Sequence, residues 1–103
     1  MTTDPLAPIH PGEILREEFL VPLDMTPYAL AKLCHVPRTR FERLVHERAP
    51  VTPDTALRLG RYFGTSPEFW LAIQSRYDIE TMQRSAGGEI EAIEPREKIS
   101  AEG

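Results

Sequence analysis

Arg38, Thr39, Arg40 and Arg43 stand together in the middle of the chain, and their side chains suit one kind of chemistry. A guanidinium is a planar fork that can give two parallel hydrogen bonds to the O6 and N7 edge of a guanine, and a threonine hydroxyl can meet a base or a phosphate oxygen. Lys32 and Arg48 flank this group. Cations in that position suit backbone phosphates, which place a protein on a duplex without reading its sequence. A short run of arginines is by itself most often a solvated face. The elements that carry these residues therefore have to decide.

Proline and hydroxyl residues punctuate the chain. Thr26-Pro27, Thr52-Pro53 and Ser66-Pro67 each place a capping oxygen before a proline at the first helical position, where its missing N–H costs nothing. His10-Pro11 opens a further helix without a hydroxyl. These starts predict an all-α fold of five helices. The first runs from about Pro11 to Leu20 and is stopped by Pro22. The second spans Pro27 to Cys34, and the third begins at Pro37. The fourth starts at Pro53 and ends at Gly64 in a left-handed cap, and the fifth runs from Pro67 to about Arg84 and is broken by Gly87-Gly88. Only His35 and Val36 separate the second helix from Pro37, and that tight connection between two short helices is a helix-turn-helix signature.

On a helical wheel of about 100° per residue, Phe41, Leu44 and Val45 share one side of the third helix, and Thr39, Arg43 and His46 share the other. Arg40 and Glu42 stand between them. Arg38 lies nearer the apolar edge but in the first turn, the part of a recognition helix that reaches deepest into a major groove. Leu30, Ala31 and Cys34 form the core stripe of the second helix. Base contact is expected from Arg38, Thr39, Arg40 and Arg43, and phosphate contact from Lys32 and Arg48. Glu42 and Glu47 are discordant, because carboxylates repel phosphates.

Composition is compatible with this reading. At 103 residues the chain suits one domain, and 41% hydrophobic with 27% charged residues is ordinary for a globular protein. The net charge is -4, but residues 32–48 carry +3 and residues 78–103 carry -4. A local cationic surface is what phosphate attraction requires. No apolar run approaches the roughly 18 residues of a membrane span, and no secretory pattern opens the chain, so a cytoplasmic location is expected. One cysteine permits no internal disulfide. Cys34, His35 and His46 match no zinc spacing, and there is no phosphate-binding glycine loop or nucleophile elbow. Neither an enzyme nor a cofactor is expected. Trp70 is expected in the core; an exposed remnant of its aromatic cluster on the fifth helix would make that helix the homodimer surface.

Three stretches carry a resemblance: HPGEILREEFL at 10–20, TPYALAKLCHVPRTRFERLV at 26–45, and PVTPDTALRLGRYFGTSPEFWLAIQSRYDIE at 50–80. From His10 to about Ile79 the chain resembles the HigA-type antitoxins, a branch of the lambda-repressor-like (Xre) helix-turn-helix family. The residues themselves set an N-terminal arm at 1–9, a helix-turn-helix domain at 10–85 and an acidic tail at 86–103, and the resemblance implies that the domain is a compact five-helix lambda-repressor-like one. It also implies a homodimeric autorepressor on a double-stranded, palindromic operator that neutralises a RelE-like, mRNA-cleaving ribonuclease toxin. Family members read DNA through the first turns of the third helix, which here carry Arg38, Thr39, Arg40 and Arg43.

The chain departs from that pattern at four places. His35 replaces the usual turn glycine and is expected in a left-handed conformation, Pro37 replaces a capping serine, Pro27 a frequent glutamine, and His46-Glu47 an Asn-Gly pair. Two other readings stay open: a stand-alone Xre-type regulator, and a toxin-binding module without specific DNA binding. In the tail, Ile90, Ile93 and Ile99 stand among acidic residues, as anchors for a basic partner or as part of a solvated linker.

Overall fold

The computed structural model describes residues 7–97, and all regular structure within them is helical. The first helix, α1, is one continuous rod in three parts: Pro11–Ile14, a wide π-turn at Leu15–Leu20, and Val21–Leu23. Four more follow: α2 at Pro27–Cys34, α3 at Arg38–Val45, α4 at Pro53–Phe63 and α5 at Pro67–Glu91.

The expected caps form. Thr26 Oγ1 accepts from the Ala29 N–H at 3.0 Å, Thr52 Oγ1 from Thr55 at 3.3 Å, and Ser66 Oγ from Phe69 at 3.0 Å. Gly64 closes α4 at φ 78°. Pro37 stands just before α3 as a cap residue without a side-chain hydrogen bond, rather than as its first helical residue.

Two helix ends differ from expectation. Pro22 does not stop α1, which continues to Leu23 and ends at Asp24 in the left-handed region. The π-turn supplies the reason. Val21 N–H bonds to the Arg16 carbonyl, five residues back, so the backbone has already widened where the proline ring would otherwise press on the preceding turn. Nor does Gly87-Gly88 break α5, which runs on to Glu91. Each glycine forfeits roughly 1 kcal/mol of helix propensity, but neither removes a backbone donor. A helix nucleated and packed upstream propagates through such residues.

The core forms where α1 to α5 converge. Leu15, Leu30, Phe41, Leu44, Leu59 and Trp70 are fully enclosed, and Phe19 seals one side of the cluster, its ring centroid 5.0 Å from that of Trp70. The triad expected behind the arginines, Phe41, Leu44 and Val45, is buried as a unit. Gln74 on α5 is also buried, and its Oε1 accepts the Val51 N–H at 2.7 Å, which fastens the loop between α3 and α4.

His10 anchors the start of α1 without a hydroxyl. Its Nδ1 accepts the Gly12 N–H at 2.9 Å, and its ring stands edge-on to Tyr77 with centroids 4.8 Å apart. Burial lowers the imidazole pKa below the ordinary 6.5, opposed in part by Glu47 and Asp78. A protonated Nδ1 could not accept this bond. The unfolded chain therefore takes up a proton before the folded one does, so His10 contributes stability above about pH 7 that is lost as pH falls through 6.5 and below. Urea melts across this window are expected to show that decline. They should show less of it in His10→Asn, which keeps a capping acceptor but does not titrate. Identical pH dependence in the two proteins would refute the assignment.

Candidate nucleic-acid interface

The turn that presents α3 is set by backbone geometry. His35 adopts the left-handed conformation expected of it, at φ 61°, and Val36 N–H reaches back to the Ala31 carbonyl at 3.0 Å, closing α2 in a Schellman turn. Glu47 takes the same conformation, also at φ 61°, just beyond α3. A left-handed non-glycine residue costs on the order of 1 kcal/mol or more, so both ends of the recognition segment are held by their surroundings. Two of those holds are visible. Arg58 Nη1 on α4 donates to the Cys34 carbonyl at 2.8 Å, and an Arg16 guanidinium nitrogen on α1 donates to the Val45 carbonyl at the end of α3.

The six expected contact residues fall into four groups. Arg38 and Lys32 meet over one ring: the Arg38 guanidinium carbon is 5.6 Å and the Lys32 ammonium 5.8 Å from the Tyr28 ring centroid. Cation–π attraction restrains both without removing their charge. Arg43, in the last turn of α3, and Arg48, just beyond its end, stand together, Arg43 Nη2 donating to the Arg48 carbonyl at 3.2 Å. Thr39, on the solvent side, is exposed.

Arg40 goes elsewhere. Its Nη1 donates to Asp54 Oδ2 in the first turn of α4, and the same oxygen accepts from Arg58 Nε at 3.0 Å. The Arg40 and Arg58 guanidiniums hold the Asp54 carboxyl below its usual range. Between α3 and the start of α4 lies an open groove of about 580 Å³, lined by Thr39, Arg40, Arg43, Thr52, Asp54 and Arg58 among others.

Tyr28, Asp54 and Arg58 touch the expected contact residues and were not singled out from the sequence. Two of them carried a local signal, because Asp54 and Arg58 are four apart on a predicted helix. Cys34, considered above as a metal ligand, is buried on α2 with its thiol 3.8 Å from the Arg58 carbonyl, and burial raises its pKa. Among the described residues no helix is long and apolar enough to cross a membrane.

Two short helices joined by a left-handed turn, the second buried on one side and cationic on the other, define a helix-turn-helix protein. No family model matches the chain. It is 49% identical over 76 residues to virulence-associated protein I of Dichelobacter nodosus, covering 74% of this chain and 70% of that one. It is 33% identical over 88 residues to antitoxin HigA-1 of Vibrio cholerae, covering 85% and 83%. Among solved structures, Pseudomonas aeruginosa antitoxin HigA with the higBA promoter superposes with a TM-score of 0.83 at 46% identity, over 85% of this chain and 97% of that one. Antitoxin GraA in complex with its operator gives 0.84 at 37% identity, over 96% and 100%. The chain belongs to the HigA family of helix-turn-helix antitoxins.

Proposed function

We propose that this protein is a DNA-binding antitoxin that represses its own operon as a homodimer and neutralises a RelE-like, mRNA-cleaving ribonuclease. The cationic outer face of α3, backed by the buried Phe41–Leu44–Val45 triad, carries the DNA half of this reading. Arg38, Thr39 and Arg43 present donors to the major groove, with Arg40 beside them, while Lys32 and Arg48 meet phosphates. The relatives solved with operator or promoter DNA support it. Two-fold pairing is needed to set two recognition helices about one DNA turn apart. The role asks for neither catalysis nor a cofactor.

The toxin half draws support from distal α5. Ile79, Met82 and Ile90 share one exposed apolar stripe with Ile93 just beyond the helix end, and Glu80, Glu89, Glu91 and Glu94 flank it. Such a surface suits a basic ribonuclease. Ile99, the third expected anchor, lies outside the described residues. Removing residues 87–103 should weaken binding to the ribonuclease, and unchanged affinity would detach the toxin from this segment.

The DNA half is tested by titrating the protein onto a duplex of its own upstream region at two salt concentrations. Arg40→Ala and Arg43→Ala should each weaken binding by about 1 to 3 kcal/mol, with loss of preference over unrelated DNA. The saturated complex should hold two chains per site. Equal, weak and salt-sensitive binding to any duplex would leave toxin binding as the leading role.

A further inference from the structure

Among the described residues, Asp54 is the one carboxylate lining a groove that also holds Arg40, Arg43 and Arg58. Its Oδ2 binds Arg40 and Arg58 together, and Arg58 in turn reaches the carbonyls of Cys34 and His35, at 2.8 and 3.4 Å. A continuous polar chain thus ties α4 to the end of α2 and to one arginine of α3. The direction of Arg40 is set from outside the helix-turn-helix.

We propose that Asp54 is a positioning residue that determines specificity: it holds Arg40 so that a base edge, rather than a phosphate, is the partner this arginine accepts. The proposal rests on the DNA-reading role given above and adds how one of its residues selects. An unrestrained arginine on this face would pair with any phosphate in reach, and that attraction is independent of sequence. To do so here it must bring a phosphate up beside a carboxylate of the same sign, which repels it. A guanine asks for less. The Asp54 bond uses Nη1, so Nε and Nη2 remain as donors that can meet acceptors on a base while the ion pair stays intact. Pre-orientation also reduces the rotamer freedom lost on binding. Binding to all DNA becomes weaker, and the difference between right and wrong sequences becomes larger.

Asp54→Asn tests this with little change of shape. The probes are a duplex selected by the wild-type protein from a random-sequence pool and a shuffled duplex of the same composition. For the variant, binding to the shuffled duplex should tighten, and the slope of log affinity against log salt should steepen by about one unit. The ratio of selected to shuffled affinity should fall by roughly tenfold. In an Arg40→Ala background the Asp54 substitution should leave the ratio unchanged. A merely structural Asp54 would shift the thermal midpoint and leave the ratio alone. An unchanged ratio, or an equal fall with Arg40 already removed, overturns the proposal. Wild-type protein that selects no sequence from the pool overturns the DNA reading itself, and this inference with it.

Discussion

Gly12→Ala is expected to destabilise the protein more than its chemistry suggests, by about 3 kcal/mol, lowering the thermal midpoint by roughly 10 to 20 °C. A β-carbon at Gly12 would lie 1.8 Å from the carbonyl oxygen of Leu44 and 2.9 Å from its carbon. Both atoms belong to the backbone of α3, so no side chain can swing aside. Accommodating the methyl group requires α1 to move away from α3, which opens the packing around Leu15, Phe41 and Leu44. Alanine's better helix propensity recovers only about 1 kcal/mol. Since α1 backs the recognition helix, DNA affinity should fall along with the midpoint. Circular dichroism melts read the effect directly, and a midpoint equal to wild type would mean that α1 and α3 are not so closely apposed.

Trp70→Ala should cost about 3 to 5 kcal/mol, the range for removing a large aromatic side chain from a core. Trp70, on α5, is fully enclosed, with Phe19 of α1 and its own neighbour Phe69 each at a ring-centroid distance of 5.0 Å. Its indole N–H donates to Thr65 Oγ1 at 2.8 Å, so truncation also leaves the end of the α4–α5 turn without its donor. Trp70→Phe should be much milder, because it keeps most of the ring contacts. Urea titrations followed by circular dichroism separate the two, and equal losses would show that the hydrogen bond outweighs the packing. This burial also removes Trp70 from any dimer surface. A charged residue there would report on folding, whereas the exposed Phe69 beside it remains open to a partner.

Much of the architecture was readable because its causes are local. A capping oxygen three residues before the amide it serves, a proline at the first helical position and a glycine at the end of α4 act within one turn, and the structure places helix starts at Pro27, Pro53 and Pro67. The burial of Phe41, Leu44 and Val45 followed from their spacing alone, and so did the opposite, solvent-facing direction of Thr39 and Arg43. Left-handed His35 followed from comparing the turn after α2 with its family pattern.

Other features were hidden because distant parts of the chain decide them. Passage of α1 through Pro22 depends on a π-turn, whose register no single residue announces. The persistence of α5 through two glycines reflects a helix nucleated at Ser66 and packed through Trp70, against which local propensity is small. The same holds for the site. Sequence by itself determined that a cationic helix would follow a tight turn and have an apolar back, since helical periodicity and caps are short-range. Only the tertiary structure decided that Tyr28 would lie under Lys32 and Arg38, that Gly12 would admit α1 against Leu44, and that Arg40 would turn to Asp54, fourteen residues away. Those pairings depend on how the helices cross, and crossing is set by packing of the whole core rather than by any one segment.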